Sequence, residues 1–116
     1  MQNTKLIGAN LRGATLSGVQ MQDADLWGAQ LQNAFLNSVE LKGAKLSRVT
    51  ISAKTQFVGA RWWEADFGSG MGPYSFNRKL LEELYRRYGK EVPKDRNEVH
   101  PSARGFIAEK RREEQA

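Results

Sequence analysis

The chain repeats with a period of five residues, and that period leaves it few ways to fold. Leu6, Leu11, Leu16, Met21, Leu26, Leu31, Leu36, Leu41, Leu46 and Ile51 follow one another at steps of five. Two residues before each stands Thr4, Ala9, Ala14, Val19, Ala24, Ala29, Ala34, Val39, Ala44 or Val49, so large and small apolar residues alternate in fixed register. An α-helix spreads a period of five around its whole circumference, because 3.6 does not divide it, and a flat strand turns alternate leucines to opposite faces. A chain that bends a corner every five residues keeps both sets facing one axis. Four such sides close a square turn of about twenty residues, and successive turns stack at roughly the 4.7–4.9 Å spacing of a β-ladder.

The corner slot then holds Gly8, Gly13, Gly18, Gly28 and Gly43, with Asp23, Asn33 and Ser38 in the same position. These are turn residues. The residues just before each centre form outward columns, and one column reads Lys5, Asp25, Lys45. Stacked turns place these charges about 5 Å apart in alternating sign, a favourable cross-strand arrangement. Phe57, Trp62 and Phe67 continue the period after a slip of one residue, which an extra residue near Ala53 and Lys54 explains. Counting past that insertion adds Asp66 to the charge column. Thirteen repeats give about three and a quarter turns, a coil only ~15 Å tall.

The segments Ala9-Asn10-Leu11-Arg12-Gly13, Ala24-Asp25-Leu26-Trp27-Gly28 and Ala65-Asp66-Phe67 match the pattern A-[D/N]-L-x-x. In this the chain resembles the pentapeptide-repeat family from residue 4 to about residue 69. The resemblance implies a right-handed quadrilateral β-helix, with Leu or Phe at the centre of each repeat and Ala in the second inward position. The expected fold class is all-β, a repeat coil over residues 1–69 with an α-helical cap and charged tail over 70–116.

Gly68-Ser69-Gly70-Met71-Gly72-Pro73 ends the repeats and reads as a linker, because it lacks the spacing and lysine of a phosphate-binding loop. From Ser75 to Tyr88, Phe76, Leu80, Leu81, Leu84, Tyr85 and Tyr88 mark one face of a helix ended by Gly89. The last turn of a coil leaves an open edge that natural proteins cover, so this helix is expected to cap it, with Phe67 and Trp62 beneath. Residues 90–101 read as a charged loop. A second short helix is expected after Ser102, anchored by Phe106 and Ile107 and fraying over Lys110-Arg111-Arg112-Glu113-Glu114.

Cysteine is absent and His100 is the single histidine, which argues against a thiolate or imidazole metal site and leaves His100 as a surface-loop residue. The carboxylates Asp23, Asp25, Glu40, Glu64 and Asp66 are interspersed with lysines on flat walls and do not converge as catalysis requires. No enzymatic activity and no cofactor are expected. No apolar run approaches the ~20 residues of a membrane span and no leader pattern follows Met1, which reads as a cytoplasmic chain with no transmembrane segment.

The reading that remains is a scaffold or protein-interaction module presenting flat walls. Ile7, Trp27, Phe35 and Trp63 are large apolar residues at outward positions, with Ile7 and Trp27 one turn apart, and they mark a contact with a protein partner or with the chain's own tail. Only three residues precede the first repeat, so self-association through the uncovered N-terminal coil is a further expectation. The alternative that the resemblance implies is a DNA-mimicking modulator of a topoisomerase such as gyrase, a role for a long acidic rod. Residues 1–70 carry seven Lys/Arg against five Asp/Glu. Nucleic-acid or anionic-membrane attachment through Arg86, Arg87, Lys110, Arg111 and Arg112 is not expected, since the net charge of +5 is mixed along the chain.

Overall fold

A computed structural model describes residues 3–116. Its first two-thirds are a square coil held by parallel single-residue bridges between residues twenty apart: Lys5 with Asp25, Asn10 with Gln30, Thr15 with Phe35, and Gln20 with Glu40. The same ladder continues upward through Asp25 with Lys45 and Gln30 with Thr50. From Leu6 to Leu36 each centre donates its N–H to the turn above, as in Leu16 N to Phe35 O at 2.8 Å and Leu26 N to Lys45 O at 3.0 Å. Between corners only one residue per side is free to pair, so the described residues form isolated bridges in place of extended strands. That shortness, together with two helices, makes the chain a β-coil joined to a helical part and not the all-β protein expected.

Except at the corner with the extra residue and at the one over Trp62–Glu64, the corners close by a turn in which the residue after the centre's neighbour has positive φ, from Gly8 (67°) and Gly13 (69°) to Asp23 (59°), Asn33 (60°) and Ser38 (61°). This is the left-handed third position of a type II turn. Arg48 adopts it too, at 60°, a residue whose composition gave no turn signal. The Asp or Asn before a centre supports the same bend: Asp25 Oδ1 accepts from Trp27 N, Asp66 Oδ1 from Gly68 N, and Asn10 Oδ1 from Arg12 N. The preference for a short acid or amide at this slot is thus an Asx turn two residues long.

The slip after Ile51 lies where the sequence placed it. Phe35 pairs with Gln56 and Lys45 with Asp66, each twenty-one apart. At that corner Asn33 N donates to Ser52 Oγ at 2.9 Å, where other corners use a main-chain carbonyl, and Thr55 Oγ1 donates to Leu31 O at 2.8 Å. Inside, Met21, Leu26, Leu31, Leu36, Leu41, Leu46, Phe57, Trp62 and Phe67 are buried with Ala24, Ala29, Ala34, Ala44, Ala60 and Ala65. Each fully buried leucine contributes about 1.5–3 kcal/mol. In the first turn Leu6, Leu11, Ala14 and Val19 are only partly buried, as is Ile51 beside the extra residue.

The upper end is covered by helix α1 (Arg78–Tyr88) and helix α2 (Pro101–Gln115). Their apolar residues Leu80, Leu81, Leu84, Ala103, Phe106 and Ile107 join the coil's core as one cluster. The open ladder groups are taken up by side chains. Asn77 caps α1 by accepting from Leu80 N and donates to Leu46 O and Val49 O; Tyr88 Oη accepts from Phe57 N. Arg87 donates to Thr55 O and Ser52 O, and Ser102 Oγ accepts from Phe67 N. Gly89 does not end α1 through a left-handed turn, since its φ is −60° and a short 3-10 turn follows. Its missing side chain instead leaves room for the Tyr85 ring, 3.1 Å from where a Cβ would stand. Helix α2 starts at Pro101 and stays helical through Gln115, longer than the short helix and frayed tail expected. His100 is its N-cap, with Nδ1 accepting from Ser102 N, so it is a structural cap and not a loose loop residue.

Candidate functional site

The outward apolar residues divide into two pairs. Ile7 is 52% exposed and Phe35 40% exposed, standing on neighbouring-but-one walls of the coil. Trp27 is partly covered by the glycine-rich segment after Phe67, which folds back as a strap: its Nε1 donates to Pro73 O, and the Arg48 guanidinium lies 5.6 Å from the ring centroid. Trp63 is 9% exposed, edge-on to Trp62 with centroids 5.5 Å apart, and its carbonyl accepts from His100 N. The top of that wall is a 3-10 turn over Trp62–Glu64, with no bridge from Glu40 to Arg61 among the described residues. The outward phase is therefore lost there, and Trp63 belongs to the core and not to a presented surface.

The charge column has the register expected and a different use. Lys5, Asp25, Lys45 and Asp66 are bridged in order, yet none of the four forms an ion pair among the described residues. The Tyr74 hydroxyl donates to Asp25 Oδ2 at 2.6 Å, and Lys45 Nζ lies 5.2 Å from the Tyr74 ring centroid. This hydrogen bond raises the Tyr74 pKa above the ordinary phenol value. Local turns and the strap thus claim these side chains ahead of their vertical neighbours, which an exposed ion pair worth about 0–1 kcal/mol does not outweigh.

Elsewhere the carboxylates are committed singly. Gln22 Nε2 donates to Glu40, and Glu83 accepts from both Arg86 and Arg87, a pairing led by the Arg86 hydrogen bond that holds its carboxyl below the usual range. A groove of about 560 Å³ runs between the coil and α1, lined by Val49, Ile51 and Leu80 with Arg48 and Lys79 at its rim. Flat walls gave no hint of it, because it is made by the helix leaning on them. Among the described residues no three His, Cys, Asp or Glu side chains gather as a metal set, and no helix is long and apolar enough to cross a membrane.

Sequence reasoning missed the polar residues that close the coil, Asn77, Arg87, Tyr88, His100 and Ser102. Nothing in their local pattern tells a helix-surface residue from one reaching a ladder edge some thirty residues back.

Comparison with curated proteins gives no match. Among solved structures, the 1.7 Å crystal structure of a pentapeptide repeat protein from the Arabidopsis thaliana thylakoid lumen is similar, at 20% identity over 72% of this chain and 69% of that chain, with a TM-score of 0.38. The family model described as pentapeptide repeats matches residues 1–26 and 20–52 with eight copies. That match falls on the bridged square turns, and this part of the chain is a run of pentapeptide repeats.

Proposed function

We propose that this chain is a non-catalytic interaction module whose rigid coil walls dock a protein partner. The observation that carries this reading is the pair of large apolar side chains, Ile7 and Phe35, held exposed on rungs whose backbone is fixed by bridges above. An apolar group on a surface that does not rearrange loses little conformational entropy on binding, which favours its use as a contact. The right-handed winding and the binding role are what the family adds to this reading.

The N-terminal turn offers a second docking surface. Leu6, Leu11, Ala14 and Val19 are half-exposed there, and the N–H groups of Lys5, Asn10 and Thr15 have no partner among the described residues. A second copy stacking on this edge would satisfy both, and sedimentation over a range of concentrations reads it.

The test of the module reading is affinity capture from the native cell with the wild-type chain, Ile7→Ser and Phe35→Ser. A specific partner retained by the wild type and lost by the folded variants supports it. A catalytic turnover abolished by replacing Asp23 or Glu40 overturns it. The topoisomerase alternative predicts inhibition or protection in a gyrase supercoiling assay; with seven basic and five acidic residues in 1–70, supercoiling is expected to proceed unchanged.

A further inference from the structure

Helix α2 is zoned by charge. Arg104, Ala108, Arg111, Arg112 and Gln115 fall at helix spacing on one stripe, whereas of its acids Glu109 pairs with Arg78, Glu113 with Lys110, and Glu114 shares the Tyr85 hydroxyl with Arg111 on the far side of that arginine from the stripe's concavity. The loop before the helix brings Arg96 to the same stripe. The result is a concavity of about 310 Å³ lined by Arg96, Arg104, Arg111 and Arg112 around Val99 and Ile107, with no acidic residue in its lining. Asp95, adjacent in sequence, is turned to cap Asn97 N.

Two of these guanidiniums are set in place by main-chain carbonyls. Arg104 Nε donates to Val99 O at 2.9 Å, and Arg111 Nη2 donates to Val92 O and Pro93 O at 3.0 and 3.1 Å. Both are half-buried, and among the described residues neither forms an ion pair with a carboxylate. A guanidinium carries five N–H donors in a rigid fork, and Arg104 spends only its Nε–H here. Four like charges held together over an apolar floor, two of them partly desolvated, are arranged at a cost that an oxyanion-bearing occupant relieves.

We propose that this arginine cradle binds an acidic peptide segment of a partner protein, with carboxylates in the guanidinium forks and an aliphatic side chain on Val99 and Ile107. It rests on the interaction-module reading and names the chemistry of the partner. The floor decides against a nucleic-acid strand: Val99 and Ile107 are aliphatic, no aromatic residue lines the cleft for a base to stack on, and its volume suits one or two residues.

The probe is a fluorescein-labelled Glu-Glu-Leu-Glu-Glu peptide, titrated with the full chain by anisotropy at low salt. Saturable binding is expected. Arg96→Glu/Arg112→Glu, which removes no hydrogen bond seen in the structure, should weaken it by roughly tenfold or more, and replacing the peptide's Leu by Ser should weaken it several-fold. Arg96→Gln serves as the milder second variant. Lys79→Glu/Lys90→Glu makes the same change in net charge away from the cradle and should leave binding within about twofold. Equal loss in both double variants, no binding by the wild type, or tighter binding of an oligothymidylate than of the peptide overturns the cradle. A partner captured through Ile7 and Phe35 that ignores the cradle variants leaves the module standing and the cradle refuted. Peptide binding by the cradle, with no partner captured through Ile7 and Phe35, gives the reverse.

Discussion

The side-chain amide of Asn77 donates to the carbonyl of Leu46 at 2.8 Å and to that of Val49 at 3.1 Å, while its Oδ1 caps α1 through Leu80 N. One residue therefore ends the coil's ladder and begins the helix that covers it. Replacing Asn77 with Ala removes an N-cap worth about 0.5–2 kcal/mol and leaves the covered Val49 carbonyl without a donor, while Leu46 O keeps the turn bond from Val49 N. The expected loss is about 2–3 kcal/mol in urea unfolding. Asn77→Asp keeps the cap but sets a carboxylate against the two carbonyls, so it should rescue little.

Two glycines of the same left-handed conformation should respond differently to alanine. At Gly13 a Cβ meets nothing within 4 Å, so Gly13→Ala pays only the backbone penalty of about 1 kcal/mol. At Gly68 the Cβ would stand 2.3 Å from Ser75 O and 2.4 Å from Ser47 Oγ, under the strap. Gly68→Ala should cost at least twice as much in thermal unfolding, and displace the strap.

Tyr74→Phe removes the hydroxyl that ties the strap to Asp25. The bond is exposed, so overall stability should change little. Trp27 is the half-covered indole while Trp62 and Trp63 are buried, so the expected readout is a larger fraction of tryptophan fluorescence quenched by iodide. In the wild type the raised pKa sets the sign: the bond is intact below the ordinary phenol value of about 10 and is lost as pH climbs through the higher folded-state value.

Acid should loosen α1 through Glu83. Arg86, and after it Arg87, hold its folded-state carboxyl below the ordinary value. Its contribution is complete above the unfolded-state pKa of about 4.3 and disappears as pH falls through the lower folded-state value. Glu83→Gln should therefore melt below the wild type at neutral pH, and the difference should shrink toward zero as the pH drops under about 4. A gap that widens in acid contradicts this.

The coil was legible because a period of five admits one interior. Leu16, Leu36 and Phe57 share a wall, and Lys5, Asp25, Lys45 and Asp66 share a column across the insertion. Side-chain roles within that frame were not legible. Asp25 lies in the column, but a tyrosine 49 residues on takes its carboxylate. Trp63 keeps the outward phase in sequence and loses it to a 3-10 turn that only the packed C-terminal segment explains. Arg96 joins Arg104, Arg111 and Arg112 because a loop folds back along α2, a juxtaposition that no local pattern encodes.

The surplus residue at Ala53 and Lys54 separates chain length from interior order. Both are exposed, and the stacking above them resumes with Gln56 over Phe35. A foreign segment spliced between them would depart and rejoin at a bend already outside the hydrophobic axis. That corner is a natural mounting point for grafted epitopes or ligand loops, with the prism serving as their stand.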